Sequence, residues 1–286
     1  MSLSAQLKQP LKKFRWRARR RAAARRYGGD ALANTPIVIG NAMPKSGSHL
    51  LHQVLLGLTA LGPFIDPGMP PLTRSADNHN LSESQVLARI AELVAGDIAY
   101  AYLQARPAYI DALRQTGLAA LFIHRDPRDM LVSHVFYATD LHPGHGMHAY
   151  YQALDSMEAR LNAAIEGVDE GQFQLSPIRA KYEKYLPWLS VPEVQALRFE
   201  DFIQRREIAL GQILDHLEAR GFNPIRPRDE ALAHLSAAIQ PRKSGTFRKG
   251  QVGDWREHFT AANKANFKAR CGDLLQQLGY EGDAAW

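Results

Sequence analysis

The stretch Thr35–Leu61, TPIVIGNAMPKSGSHLLHQVLLGLTAL, constrains the fold more than any other part of the 286-residue chain. Pro36-Ile37-Val38-Ile39-Gly40 is a short, nearly continuous apolar run, the pattern of a parallel strand covered on both faces. The chain then turns polar at Pro44-Lys45-Ser46-Gly47-Ser48, and Leu50, Leu51, Val54, Leu55 and Leu58 recur beyond it at helical spacing. A strand, a short loop and an amphipathic helix therefore follow one another. The first N–H groups of such a helix have no intrahelical partner and sit at the positive end of its dipole. With the charge of Lys45 added, the arrangement predicts an anion site, although a capped helix with one exposed lysine has the same pattern.

The loop of nucleotide triphosphatases requires a glycine, four residues, then Gly-Lys-Ser or Gly-Lys-Thr, the hydroxyl holding magnesium. Here Lys45 precedes Gly47, and Gly40 has no matching second glycine, so the order is wrong for a nucleotide kinase. A hydrophobic content of 45% is ordinary for a globular chain with a sizeable core, in one α/β domain or two small ones. No run of about 18 apolar residues is present to span a membrane. The single cysteine, Cys271, excludes an internal disulfide and a cysteine zinc cluster, and the natural expectation is a reducing compartment, the cytoplasm.

The net charge of +6 is unevenly placed. Residues 1–30 carry three lysines and seven arginines against Asp30 alone, a balance of +9, so the rest of the chain is at −3. The basicity belongs to an arm, residues 1–34, and does not call for a nucleic-acid partner. Leu3, Leu7, Leu11 and Phe14 would form an apolar stripe on a helix, with Pro10 interrupting the pattern. Two readings stay open: a membrane-surface contact and a solvated, disordered leader. An arginine-rich, acid-poor composition also suits an organelle transit peptide.

After the first strand and helix, residues 62–80 are rich in Pro, Gly, Asp and Asn and too long for a simple connection. Asp66, Arg74, Asp77 and His79 lie on this loop, which the placement of ligands in open α/β sheets assigns to an acceptor pocket. Helices are predicted at 82–94, capped by Ser82, and at 108–115, before an apolar strand at 118–123. His124-Arg125-Asp126-Pro127-Arg128-Asp129 follows, with Asp126 and Pro127 marking a helix start and Arg125 held at the strand end. Taken alone, that segment reads as strand-end charges paired with Asp129.

Further helices are predicted at 150–165, 178–186 and 209–220, and a strand at 194–199. Between them, His142, His145 and His148 sit in a Pro/Gly turn whose spacing matches no zinc pattern, so no metal is expected and a substrate-lining loop is. Near the end of the chain, Arg248-Lys249-Gly250 suits a phosphate clamp, arginine providing a fork and lysine a compact charge.

In combination these segments resemble the sulfotransferases that use 3′-phosphoadenosine 5′-phosphosulfate (PAPS). Pro44-Lys45-Ser46-Gly47-Ser48 after a strand is similar to their 5′-phosphosulfate loop, and Arg125 with Ser133 eight residues on to their 3′-phosphate site. Arg248-Lys249-Gly250 followed by Gly253-Asp254-Trp255 is similar to their carboxyl-terminal signature. Phe199-Glu200-Asp201 resembles their Tyr-Glu-Asp segment with Phe in place of Tyr, while His49 and Leu50 replace a common threonine and tryptophan. The resemblance implies an α/β fold, a single domain over residues 35–286 with a central parallel sheet flanked by helices. It implies that Lys45, Ser46, Gly47, Ser48 and His49 bind the 5′-phosphosulfate. Arg125, Ser133, Arg248, Lys249 and Gly250 would bind the 3′-phosphate, and Phe247 is a further expected cofactor-binding residue.

The implied chemistry is in-line transfer of a sulfuryl group to a hydroxyl or amine, with Lys45 stabilising charge on the leaving phosphate and no metal required. Many relatives carry a catalytic histidine where Tyr102 stands here, and a neutral tyrosine is a poor base near pH 7. The expected base is a loop histidine, His79, His142 or His145, with an activated Tyr102, or an acceptor that needs little help, as the alternatives. The expected acceptor is a small molecule, glycan or lipid. A non-catalytic PAPS-binding scaffold at a membrane is the competing reading.

Overall fold

The computed structural model describes residues 3–243 and 248–286. Its strands, in chain order, are β1 (Ile37–Ala42), β2 (Ile98–Ala101), β3 (Leu118–His124), β4 (Val168–Glu170), β5 (Phe173–Leu175) and β6 (Val194–Arg198). Four of them form a parallel sheet in the order β2-β1-β3-β6, and β4 and β5 form a separate antiparallel pair. β1 and β3 occupy the middle, which is why they read as continuous apolar runs.

The chain divides into two compact units, Met1–His124 with Trp188–Pro241, and Arg125–Pro187 with Arg242–Trp286. The first unit holds the whole parallel sheet and its core. Helix Ser48–Leu58 turns Leu50, Leu51, Val54, Leu55 and Leu58 inward, as its spacing requires, onto a cluster shared with β1, β3 and helices Arg206–Glu218 and Arg228–Ala238. Gly40 lets this helix approach closely, since a Cβ there would lie 2.9 Å from Leu55 Cδ1 and 3.0 Å from Leu51 Cδ2. The edge of β2 is partly covered by the loop at 62–80: Ile98 N–H donates to Ile65 O (2.9 Å) and Leu72 N–H to Tyr100 O (2.9 Å).

The basic N-terminal segment is helical over Leu3–Tyr27, and the helix passes through Pro10, where an interruption was expected. A proline removes one backbone donor at a cost of about 3 kcal/mol. Offsetting it are the helix-favouring Arg, Lys and Ala residues on either side and a docked carboxyl-terminal half. Trp16 Nε1 donates to Asp97 Oδ1 (2.9 Å), Arg20 pairs with the same oxygen (3.0 Å), and Arg20 also donates to Ala95 O (2.8 Å). Ala23 packs with Leu32 and Ile65 behind them, Trp16, Ala24 and Tyr27 lining the contact. Leu11 and Phe14 remain exposed.

In the second unit, helices Pro127–Phe136 and Met157–Glu166 pack together, and Ala261–Cys271 joins through Asn263, whose Nδ2 donates to Glu158 O (3.0 Å) and Asn162 Oδ1 (2.9 Å). The helix expected over 150–165 is two, His148–Gln152 and Met157–Glu166, because Ser156 accepts from Ala159 N–H and starts a new one. None of the helices among the described residues is long and apolar enough to cross a membrane.

Two buried histidines of the first unit make its stability pH-dependent. Burial and then the nearby Arg198 push His124 down to about 4, and burial and then Arg220 push His216 down to about 4. Both stay neutral in the folded protein while the unfolded chain binds protons below an ordinary value of about 6.5. Stability is therefore fully present above pH 6.5 and declines toward pH 4. Denaturant titrations across this window should show the loss, on the order of 3 kcal/mol per histidine, with His216→Gln flattening it.

Candidate functional site

β1 hands the chain directly to the loop Met43–Gly47, and the helix starts at Ser48. Two residues turn this corner in the left-handed region: Gly47 at φ +101° and Lys45 at φ +66°. For lysine that conformation costs about 1–2 kcal/mol, and non-glycine residues held this way cluster at ligand-binding turns. At Gly47 only a hydrogen fits, because a Cβ would lie 2.7 Å from Phe199 Cδ2 and 3.1 Å from Ile123 Cδ1. Phe199, at the end of β6, is thus the wall against which the loop closes. The substitution of Phe for Tyr there keeps the packing role of the ring.

Inside the loop, Ser46 is fully buried and its hydroxyl has no hydrogen-bond partner among the described residues, a costly state for a polar group unless a ligand or water meets it. Ser48 Oγ accepts from the Tyr102 hydroxyl at 3.1 Å. Tyr102 is held there by the main chain that follows it. Buried Asn41, on β1, donates to Leu103 O (3.0 Å) and accepts from Leu103 N–H (2.7 Å), and Trp188 Nε1 donates to the same carbonyl (2.8 Å). The imidazole of His49 is held below its ordinary value by desolvation and then by the charge of Lys45.

The second unit carries the other predicted anion ligands. Asp126 caps helix Pro127–Phe136, accepting from Arg128 N–H at 2.9 Å, and Arg125 directly precedes the cap. The carbonyl of Arg125 accepts from the Tyr182 hydroxyl (2.8 Å), and its guanidinium donates to Gln251 O (3.3 Å). Ser133 lies two turns along this helix. Asp129, expected to pair with strand-end charges, accepts from the backbone N–H of Gly253 (2.8 Å) and Trp255 (2.9 Å), fixing the Gly253-Asp254-Trp255 turn. Burial raises Asp129 above the usual carboxylate range, with Arg125 and these two N–H groups acting against it.

Arg128 locks the same turn from behind. It is buried, doubly hydrogen-bonded to Asp126, paired with Glu281 at 2.6 Å, and stacked between the rings of Trp255 (4.0 Å) and Trp286 (4.5 Å). On the turn itself, Arg248 and Lys249 both pair with buried Asp254, Lys249 at 3.2 Å, and the Arg248 guanidinium lies 4.3 Å over the Phe136 ring. Burial acts to raise Asp254, but the Arg248 and Lys249 hydrogen bonds outweigh it and hold the carboxyl low. Asp254, Glu257 and His258 are close enough to share a cation. Lys249 pairs with both acids, at 3.2 and 3.5 Å, and supplies that charge itself. Phe247 lies outside the described residues.

The predicted proton acceptors are dispersed over several elements. His79 is exposed on the 62–80 loop, at a turn closed by Ser75 N–H on His79 O (2.8 Å) and His79 N–H on Ser75 Oγ (3.0 Å). His142 and His145 belong to the second unit, in an edge-to-face cluster with Tyr137 and His134. His145 Nδ1 accepts from Met147 N–H at 3.1 Å, so that nitrogen is occupied by the turn itself.

A family model described as a sulfotransferase domain matches residues 37–279. The chain belongs to the sulfotransferase family. Solved structures similar to this sulfotransferase include mouse sulfotransferase SULT7A1 complexed with PAP, at 16% identity and TM-score 0.58 over 90% of this chain and 91% of that one. Retinol dehydratase is similar in two complexes. With androsterone and the inactive cofactor PAP, identity is 14% and TM-score 0.56 over 86% of this chain and 83% of that one. With retinol and PAP, identity is 15% and TM-score 0.57 over 88% and 86%. No match was found among curated proteins. The likeness bears out the α/β fold with a central parallel sheet flanked by helices.

Two supports of the sulfotransferase site went unread in the sequence. Asn41 looked like one more strand residue, and only its double bond to Leu103 reveals what positions Tyr102. Asp129 was visible, but its partners lie 124 and 126 residues away. The glycine of the loop carries the sharpest structural expectation. Gly47→Ala should destabilise the protein by about 1–3 kcal/mol through overpacking against Phe199 and the left-handed φ, read as a shift of the urea midpoint, and Gly47→Ala with Phe199→Ala should recover part of it.

Proposed function

We propose that this sulfotransferase moves a sulfuryl group from PAPS to a hydroxyl or amine of an acceptor by in-line displacement. The observation that carries the reading is the loop at Lys45–Ser48, where a buried serine hydroxyl without a partner among the described residues, a left-handed lysine and a helix N-terminus converge next to a strand end. Such a donor set matches a phosphate or sulfate oxygen cluster. When bound, the donor supplies an activated sulfuryl group on a phosphate leaving group.

The chain's own residues do the rest. Lys45 stabilises the negative charge that grows on the leaving oxygens, and Ser46, Gly47, Ser48 and His49 line the 5′-phosphosulfate. Arg125, Ser133, Arg248, Lys249 and Gly250 hold the 3′-phosphate. In that role Arg248 and Lys249 exchange their pairing with Asp254 for the phosphate. The Tyr102–Ser48 hydrogen bond supports a positioning role for Tyr102. A neutral tyrosine remains a poor base near pH 7, which leaves proton removal to a histidine.

The acceptor is proposed to be a small molecule, a lipid or a glycan. Retinol and androsterone complexes of the structural neighbour retinol dehydratase favour the first two classes. Peripheral membrane contact in a cytoplasmic setting is part of the proposal; the helix Leu3–Tyr27 supports the contact by exposing Lys12, Lys13, Arg15, Arg17, Arg21, Arg25 and Arg26 beside Leu11 and Phe14. Each such cation near an anionic leaflet contributes about 1 kcal/mol at low salt.

An acceptor screen with labelled PAPS, read as PAP release, tests the reading. Lys45→Ala should lower the transfer rate by about 100-fold or more, on the scale of losing one charge-stabilising donor, while the fold is retained by circular dichroism. A wild-type rate in Lys45→Ala, or no binding of PAP to the native protein by calorimetry, sinks it. For the membrane contact, cosedimentation with phosphatidylserine vesicles should fall steeply as salt rises from about 0.05 to 0.3 M, and vesicles of phosphatidylcholine alone should retain little protein.

A further inference from the structure

His52 stands one helical turn beyond Ser48 and belongs to none of the residue sets assigned above. Positions 48 and 52 share a face of helix Ser48–Leu58, with Cβ atoms about 6 Å apart. Opposite that face run Tyr100 and Tyr102, two residues apart and so on one side of β2 and its extension. The match is residue by residue. Tyr102 donates to Ser48 Oγ at 3.1 Å, and the Tyr100 ring lies against the His52 ring with centroids 4.3 Å apart. Next to His52 lies a small cleft, with room for about one water, lined by Asp66, Met69, Pro70, Ile98 and Tyr100 with His52 itself.

We propose that His52 is the catalytic base, taking the acceptor's proton from a hydroxyl seated between this cleft and the Ser48 end of the loop. The proposal rests on the PAPS reading above. An attacking oxygen in a near-attack position lies about 3–3.5 Å from the electrophile and about 2.8 Å from the base. Base and electrophile are then at most roughly 6 Å apart, and His52 lies one helical turn from the Ser48 end of the loop. In the step, the acceptor oxygen–sulfur bond forms as the bond from sulfur to the 5′-phosphate oxygen breaks. Its electron pair leaves on the phosphate, and the acceptor's proton passes to a ring nitrogen of His52, which becomes imidazolium.

The surroundings suit that cycle. Burial lowers His52 most, His49 on the same helix lowers it further, and Asp66 from the 62–80 loop acts in the opposite sense. The net direction keeps the imidazole neutral at rest and able to accept, and Asp66 favours the imidazolium once it forms. Tyr100 is held above its ordinary value by burial, then by Tyr102 and Asp66, so it stays protonated and does not compete.

Two measurements on the full-length protein test this without an identified acceptor. The first follows the His52 ring by NMR in histidine-labelled protein, assigned with His52→Gln, across pH with and without saturating PAP. A dianion bound at the loop should move the His52 titration upward. The second measures cleavage of PAPS with water as the acceptor. Cleavage by His52→Gln should be about 100-fold slower than by wild type, with the acidic limb of its pH profile lost, PAP affinity within about twofold, and partial rescue by added imidazole. His52→Ala, compared for thermal stability, separates lost chemistry from lost packing against Tyr100. An unmoved His52 titration at saturating PAP, a wild-type cleavage rate in His52→Gln, or loss of the acidic limb in His79→Ala, His142→Ala or His145→Ala instead overturns the proposal. Failure of wild-type protein to bind PAP overturns the donor reading beneath it.

Discussion

A helix that starts immediately after a buried strand must present its first N–H groups to something other than its own carbonyls, and the contact between Gly47 and Phe199 decides where they point. With 2.7 Å between the ring and the position of a Cβ, the loop can close only through glycine. That closure puts Ser46 inside, sets Lys45 at φ +66° and starts the helix at Ser48. Phe199 belongs to the far edge of the first unit's sheet order, so the corner depends on β6 pairing with β3 before it can form. The geometry of the loop is therefore a product of the assembled sheet more than of the local sequence.

In each unit a carboxylate or carboxamide grips backbone atoms to hold a functional residue in place. Asn41 holds Leu103 by both its N–H and its carbonyl, which leaves Tyr102 standing over Ser48. Asp129 holds the N–H groups of Gly253 and Trp255, which leaves Asp254 facing Arg248 and Lys249. Bonds to backbone fix a chain path irrespective of the side chains it carries.

The elements that were legible in the sequence are those with strong periodicity: β1 and β3 as apolar runs, and helix Ser48–Leu58 as a leucine stripe. Ser82 was legible as a cap, and it forms a full capping box with Gln85. β2 was not legible, because Ile98–Ala101 is four residues long and follows Gly96 and the buried Asp97, a composition that resembles a turn. The same blindness hid His52. In the sequence it is a lone histidine amid leucines, and only the register of β2 beside the helix gives it Tyr100 as a neighbour. Motif residues such as Lys45 and Arg125 were visible because their chemistry is local in sequence. The residues that orient them act across long sequence separations, where neither periodicity nor spacing carries information.

Asp97 has no exposed surface, and both of its side-chain partners from outside its own turn, Trp16 and Arg20, come from the basic N-terminal helix. Val94 N–H supplies the third hydrogen bond. A charge that composition would file under a dispensable leader is thus the counter-ion of an acid inside the folded unit. Shortening the chain at the inviting boundary before Thr35 would strip that acid of its cation and its indole donor, and Asp97 would have to take up a proton or admit water at the end of β2. The N-terminal helix and β2 would then be linked through one proton, at a place far in sequence from any motif.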